Sequence, residues 1–121
     1  MEISKELASS VLGLNVAYTE RCEHRDNIIG IWADMNTKPI KEINTYEFAY
    51  KCKEWALDKG YTIESHTNRS FISKYNREYF SVAKIFKETD SMRINTIDES
   101  TEIEAIIKAC NWILEQQKCQ N

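Results

Sequence analysis

The chain has 121 residues, 42% apolar and 29% charged, and its 16 Lys and Arg against 19 Asp and Glu leave a net charge of −3. That length allows one domain with a modest core, and the composition excludes a disordered chain. The acidic balance argues against a general nucleic-acid binder, which needs a basic face, and no run approaches the roughly 18–20 apolar residues of a membrane span.

MEISKELASSVLG begins with charge and predicts an amphipathic helix from Ser4 to about Leu12, capped by Ser4 and stopped at Gly13. It lacks the basic start and long apolar centre of a signal peptide, so a cytoplasmic location is expected. In NVAYTERC, Val16, Tyr18 and Glu20 alternate; in NIIGIWADM, Ile29, Ile31 and Ala33 alternate with Ile28, Gly30 and Trp32. These are two antiparallel strands joined by the polar turn EHRD. NTKPIKEI reads as a loop.

A second helix starts at Asn44, with Glu47 three places on, and ends at Gly60. Its buried face is Phe48, Cys52, Trp55 and Ala56. YTIESHTN follows as a strand, Tyr61 and Ile63 alternating with Thr62 and Glu64. RSFISKYNR reads as a polar connection into the strand EYFSVAKIFK. There Phe80, Val82 and Phe86 point one way and Tyr79, Ala83 and Ile85 the other. Apolar residues on both faces mark a strand that is central or covered. MRINTI is a short extra strand, and the last helix begins near Ser100 or Thr101, where Thr101 and Glu104 form a capping box. The order helix, two strands, helix, two or three strands, helix predicts an α+β fold. Its expected form is one antiparallel β-sheet of four to five strands with helices packed mainly on one face, in a single domain over residues 1–121.

Chemistry is sparse. The three glycines do not cluster into a phosphate loop, and no nucleophile elbow, HExxH or paired-cysteine redox motif is present. With two histidines and no recognisable triad, the chain is expected not to be an enzyme and to need no cofactor. Cys22, Cys52, Cys110 and Cys119 match no zinc spacing and read as reduced thiols; Cys22 with His24 would make half a metal site, and His66 offers no partner in sequence. No metal is expected.

One constellation points further. Arg21, His24 and Arg25 surround the first turn. Arg69, Phe71, Lys74, Tyr75, Arg77, Tyr79 and Phe80 interleave cations with rings, and Lys84, Lys87, Arg93 and Asn95 follow. Arginine presents a planar fork to phosphate oxygens, rings offer a face to a base, and Asn reads an adenine edge. An anionic nucleotide is the ligand these residues suit; an ordinary core and an ordinary wet surface would use the same residues.

EISKELASSVLG, INTYEFAYKCKEWALDKGY and TEIEAIIKACNWILE together resemble a family of small phage and prophage proteins, in particular the first type of Thoeris anti-defence protein. The resemblance covers a little under half the chain and lies in the helices. It implies a sponge that binds a cyclic ADP-ribose isomer without cleaving it, so that the Thoeris effector in the host cytoplasm never receives its signal. It also implies a homo-oligomer, dimer or hexamer, some relatives holding cyclic oligonucleotides at a separate site, with no DNA, RNA or membrane partner. The ligand-binding residues expected are Arg21, Arg25, Phe80, Arg93 and Asn95, from the constellation of cations and rings, and Lys108, from the matched final helix. Lys108 is either a phosphate contact or a solvated helix residue, and Asn111 departs from the acidic residue of the family pattern. The alternative is a protein-binding inhibitor of a host defence enzyme.

The last helix carries two apolar lines: Ile103, Ile106, Ile107, Cys110, Ile113 and Leu114 on one, and Ala105, Ala109 and Trp112 on the other. A small domain needs one. The second line is expected to lie under a second subunit around a twofold axis, or under the N-terminal helix of the same chain.

Overall fold

A computed structural model describes residues 3–21, 27–34, 38–73, 76–87 and 93–119, with the backbone alone for 21, 68–73 and 76–80. The chain divides into two compact units, Met1–Trp55 and Ala56–Asn121.

In the first unit, helix α1 (Lys5–Leu12) begins where the Ser4 hydroxyl accepts the Leu7 N–H at 3.2 Å. It ends where Gly13, at φ 66°, donates its N–H to the Ser9 carbonyl at 2.9 Å. Both caps are as the sequence predicts. Strands β1 (Tyr18–Arg21), β2 (Ile28–Trp32) and β3 (Lys41–Asn44) form an antiparallel sheet in the order β1-β2-β3. Its covered face carries Ile29, Ile31 and Ile43, all buried. On that face Thr19 donates its hydroxyl to the Ile3 carbonyl just before α1, at 2.9 Å. Strand β3 corrects the reading of NTKPIKEI as a loop. Only Ile43 marks its inward face, too short an alternation to stand out until pairing with Ile29 supplies the ladder.

Helix α2 (Thr45–Asp58) starts where the Asn44 side-chain oxygen accepts the Tyr46 N–H at 2.8 Å. Phe48, Cys52, Trp55 and Ala56 are buried, as the periodicity requires. Gly60 follows at φ 89°, a conformation that L side chains resist. The boundary between the units falls in the last turn of α2.

The second unit contains β4 (Tyr61–Ser73), β5 (Asn76–Lys87), β6 (Arg93–Glu99) and α3 (Glu102–Cys119), and its sheet runs β4-β5-β6, all antiparallel. Strand β5, apolar on both faces, is the central one. The polar connection RSFISKYNR is largely strand instead: Arg69 pairs with Tyr79 and Phe71 with Arg77. Cross-strand pairing overrides polar composition there. The α+β class holds, but the single sheet of four to five strands does not. There are two three-stranded sheets, because β3 takes the second edge of β2 and completes the first sheet within the residues preceding α2.

Helix α3 starts with the Thr101 hydroxyl accepting the Glu104 N–H at 3.2 Å, as the capping box predicts. It lies on the face of the sheet that holds Tyr61, Ser65, Ala83 and Glu99. Ser65 donates to the Glu102 carboxylate at 2.6 Å, and Tyr61 meets Trp112 edge-on, with centroids 6.5 Å apart. Glu102, Ala105, Ala109 and Trp112 follow one another at helical spacing, so these two contacts put the alanine line against the unit's own sheet. Ala105 and Ala109 are fully buried within one chain. This corrects the expectation that a second subunit covers that line: small side chains bring the helix close to its own strands. The isoleucine line is buried within the chain as well, at Ile106, Ile107, Cys110 and Ile113. Among the described residues, no helix is long and apolar enough to cross a membrane.

Candidate functional site

The face of the second sheet turned away from α3 is where the candidate ligand groups gather. Register and alternation place Thr62, Glu64 and His66 of β4 there, with Val82, Lys84 and Phe86 of β5 and Thr96 and Asp98 of β6. Three rows cross the sheet: His66–Val82–Asp98, Glu64–Lys84–Thr96 and Thr62–Phe86–Arg93. Opposed residues in such rows hold their Cβ atoms about 4.5–5.5 Å apart. Arg93 is exposed, and Phe86 and Lys84 are half-buried. A ring thus has a guanidinium-bearing neighbour in its own row and an ammonium-bearing one two residues back along its strand. Phe80 continues the same line of β5, opposite Asn68. Glu64 and Asp98 share the face and balance the charges of Lys84 and Arg93, so it carries both signs.

The six predicted residues are distributed unevenly. Phe80 and Arg93 fall on this one face by register. Asn95 pairs with Ile85 on the opposite face, and its side-chain oxygen accepts the N–H of Thr96 at 2.8 Å. The separation comes from a β-bulge: Ile85 pairs with Asn95 but the next residue, Phe86, pairs with Arg93, so Ile94 is the extra residue of β6. Lys108 is an exposed residue of α3 and donates to the Glu99 carboxylate. That hydrogen bond, ahead of the other causes, lowers the Glu99 pKa below its ordinary 4.5. Arg21 belongs to β1 in the other unit, opposite Ile29. Arg25 lies outside the described residues.

Lys84 and Phe86 were missing from the predicted set. The signal was available: they follow Phe80 at steps of four and two along one strand, but Phe86 also suits a core. Among the described residues, no three His, Cys, Asp or Glu side chains gather to hold a metal ion; Cys22 and His24 lie outside them. Such a face can hold an anion beside a flat ring, stacking on one group and pairing with the others.

The fold and this face define an α+β protein with two small antiparallel sheets and a surface of mixed charge and rings on the second. Compared with family models, curated proteins and solved structures, the chain matched none.

Proposed function

We propose that the protein is a sponge: it binds and sequesters a cyclic ADP-ribose-type signal, or a related cyclic nucleotide, without cleaving it. The observation that carries this is the row Thr62–Phe86–Arg93 with Lys84 beside it, a ring and two cations on the sheet face away from α3. A base stacks on Phe86 and the diphosphate pairs with Arg93 and Lys84. No catalytic residue enters this scheme, and capture needs only slow release. The resemblance supplies the setting, a phage protein blocking Thoeris signalling in the host cytoplasm, and an assembly of identical copies. The alanine line of α3 is not the contact between those copies, since it faces its own sheet.

The test is native mass spectrometry after incubation with cyclic ADP-ribose isomers, followed by denaturation. The expected result is a bound mass equal to the signal and release of the intact molecule. Release of a cleaved product would make the protein an enzyme.

A protein-binding inhibitor is the second reading, supported by Tyr46 and Tyr50, which lie four residues apart on α2 and are 62% and 66% exposed. Exposed tyrosines are frequent interface anchors. Calorimetry that stays flat across all the cyclic ADP-ribose isomers would favour it.

A further inference from the structure

The two sheets end in four strand edges, and three of them carry features that keep an edge from pairing with another chain. Strands β1 and β3 are four residues each, and β6 is interrupted by its bulge at Ile94. Strand β4 is different. It is 13 residues long, contains no proline, and keeps an unbroken register with β5 from Tyr61 to Phe71. Over Tyr61–Thr67 the residues on its α3 side are Tyr61, Ile63, Ser65 and Thr67, none of them charged. Among the described strands only β5 pairs with it, so every second residue turns a backbone N–H and C=O outward along the free edge. Among the described residues no other element donates or accepts a backbone hydrogen bond along that row.

The side chains show what the edge fits. On the face away from α3, Glu64 is exposed and His66, two residues on, is half-buried. Among the described residues no ion pair or hydrogen bond engages either side chain, although Glu64 stands opposite Lys84. Two copies of β4 running antiparallel about a twofold axis through Ser65 place Glu64 of each opposite His66 of the other, and Ile63 opposite Thr67. A carboxylate then faces an imidazole N–H at two symmetric positions. Moving the axis by one residue, to Glu64 or to His66, sets two carboxylates or two imidazoles against each other instead.

We propose that β4 is the contact between two copies of this chain, joined edge to edge into one six-stranded antiparallel sheet. Six strands is an ordinary sheet size. A strand of another protein satisfies the same backbone row, but a second copy also brings the doubled Glu64–His66 match. Residues opposed across the axis have the same parity, so the sheet keeps its faces. Both α3 helices lie on one side, and both sets of Lys84, Phe86 and Arg93 on the other. The inference rests on the assembly of identical copies named in the proposed function and gives that assembly its contact; it does not require the ligand to be a nucleotide.

The test is sedimentation equilibrium of the full chain, with amide hydrogen exchange of 15N-labelled protein at low and high concentration. The expected result is a reversible dimer, or a multiple of it, in which alternate β4 amides between Tyr61 and Thr67 gain protection as concentration rises. His66→Glu sets carboxylates against each other at both symmetric positions and should weaken association by roughly tenfold. His66→Lys, opposite the partner's Glu64, should leave association as tight or tighter. Thermal melting checks that both variants fold; the exchange pattern of the native chain tests the contact if either does not. A chain that stays monomeric at every concentration overturns the contact and the assembly together. Association that leaves β4 exchange unchanged, or that both substitutions weaken equally, overturns this contact alone.

Discussion

The two sheets share an architecture and differ in what they present. Each has three antiparallel strands, a face of buried isoleucines and a face turned away from them. On that second face the first sheet carries Tyr18 and Trp32 with Glu20 and Glu42; the second carries Phe86 with Lys84 and Arg93 as well as Glu64 and Asp98. Rings occur in both, but the named charges are acidic on the first and of both signs on the second. Buried faces of similar composition therefore leave the choice of ligand to a few outward positions, where substitutions cost little stability and change recognition strongly.

The largest expected effect tests the shared part of the comparison. Ile31→Ala and Ile85→Ala each empty a fully buried position at the centre of a sheet, and each should lower stability by about 2–5 kcal/mol in urea denaturation. A loss under about 1 kcal/mol at either would mean that the two inner faces are not equivalent. The next effect addresses the difference. If the proposed binding of a cyclic ADP-ribose isomer holds, Arg93→Ala should weaken it by more than about tenfold, or ~1.4 kcal/mol by calorimetry, while Glu20→Gln leaves it unchanged. Equal sensitivity to both variants would erase the distinction between the two faces. On the first face Tyr18 and Trp32 stack, with centroids 4.8 Å apart, and the Trp32 ring fills the space a Cβ at Gly30 would need. Gly30→Ala should displace the Trp32 ring and cost the stacking contribution, roughly 0.5–1.5 kcal/mol, with a change in the Tyr18 and Trp32 near-ultraviolet circular dichroism. An unchanged spectrum would show that the ring does not rest on Gly30.

The smallest effect concerns Glu99. Its carboxyl is held below the ordinary value of 4.5 chiefly by the hydrogen bond from Lys108. A depressed folded-state pKa adds stability above the unfolded value, and that stability fades as pH falls through the lowered folded value. The stability difference between the native chain and Glu99→Gln should therefore be small at neutral pH, shrink in acid, and weaken with salt because Lys108 is exposed. A difference that grows in acid would have the wrong sign.

How much of this was legible in the sequence depended on whether the signal was local. Helix ends were readable because caps are contained in a few residues: Ser4 and Gly13, Asn44 and Gly60, Thr101 and Glu104. Strand β3 was not, since Ile43 alone marks it and its ladder partner Ile29 is distant in sequence. The long pairing of β4 with β5 past Arg69 was hidden by polar residues that a ladder tolerates. Two apolar lines on α3 were visible, but which one meets the sheet was not, because periodicity counts faces without saying what each touches. The candidate site was legible as residue types and not as a surface. Arg93 and Asn95 have the same parity, and simple alternation puts them side by side; the extra residue Ile94 sends them to opposite faces.

That extra residue also sets a rule for how β6 can vary in length. Removing Ile94 would join Arg93 directly to Asn95 and leave a regular ladder, with Arg93 still opposite Phe86 and on the same face. Keeping Ile94 but absorbing it into the ladder would instead pair it with Phe86 and turn Arg93 toward the helix side. The strand can therefore shed this one residue with its polarity intact, whereas straightening the kink without shortening the chain inverts everything before it.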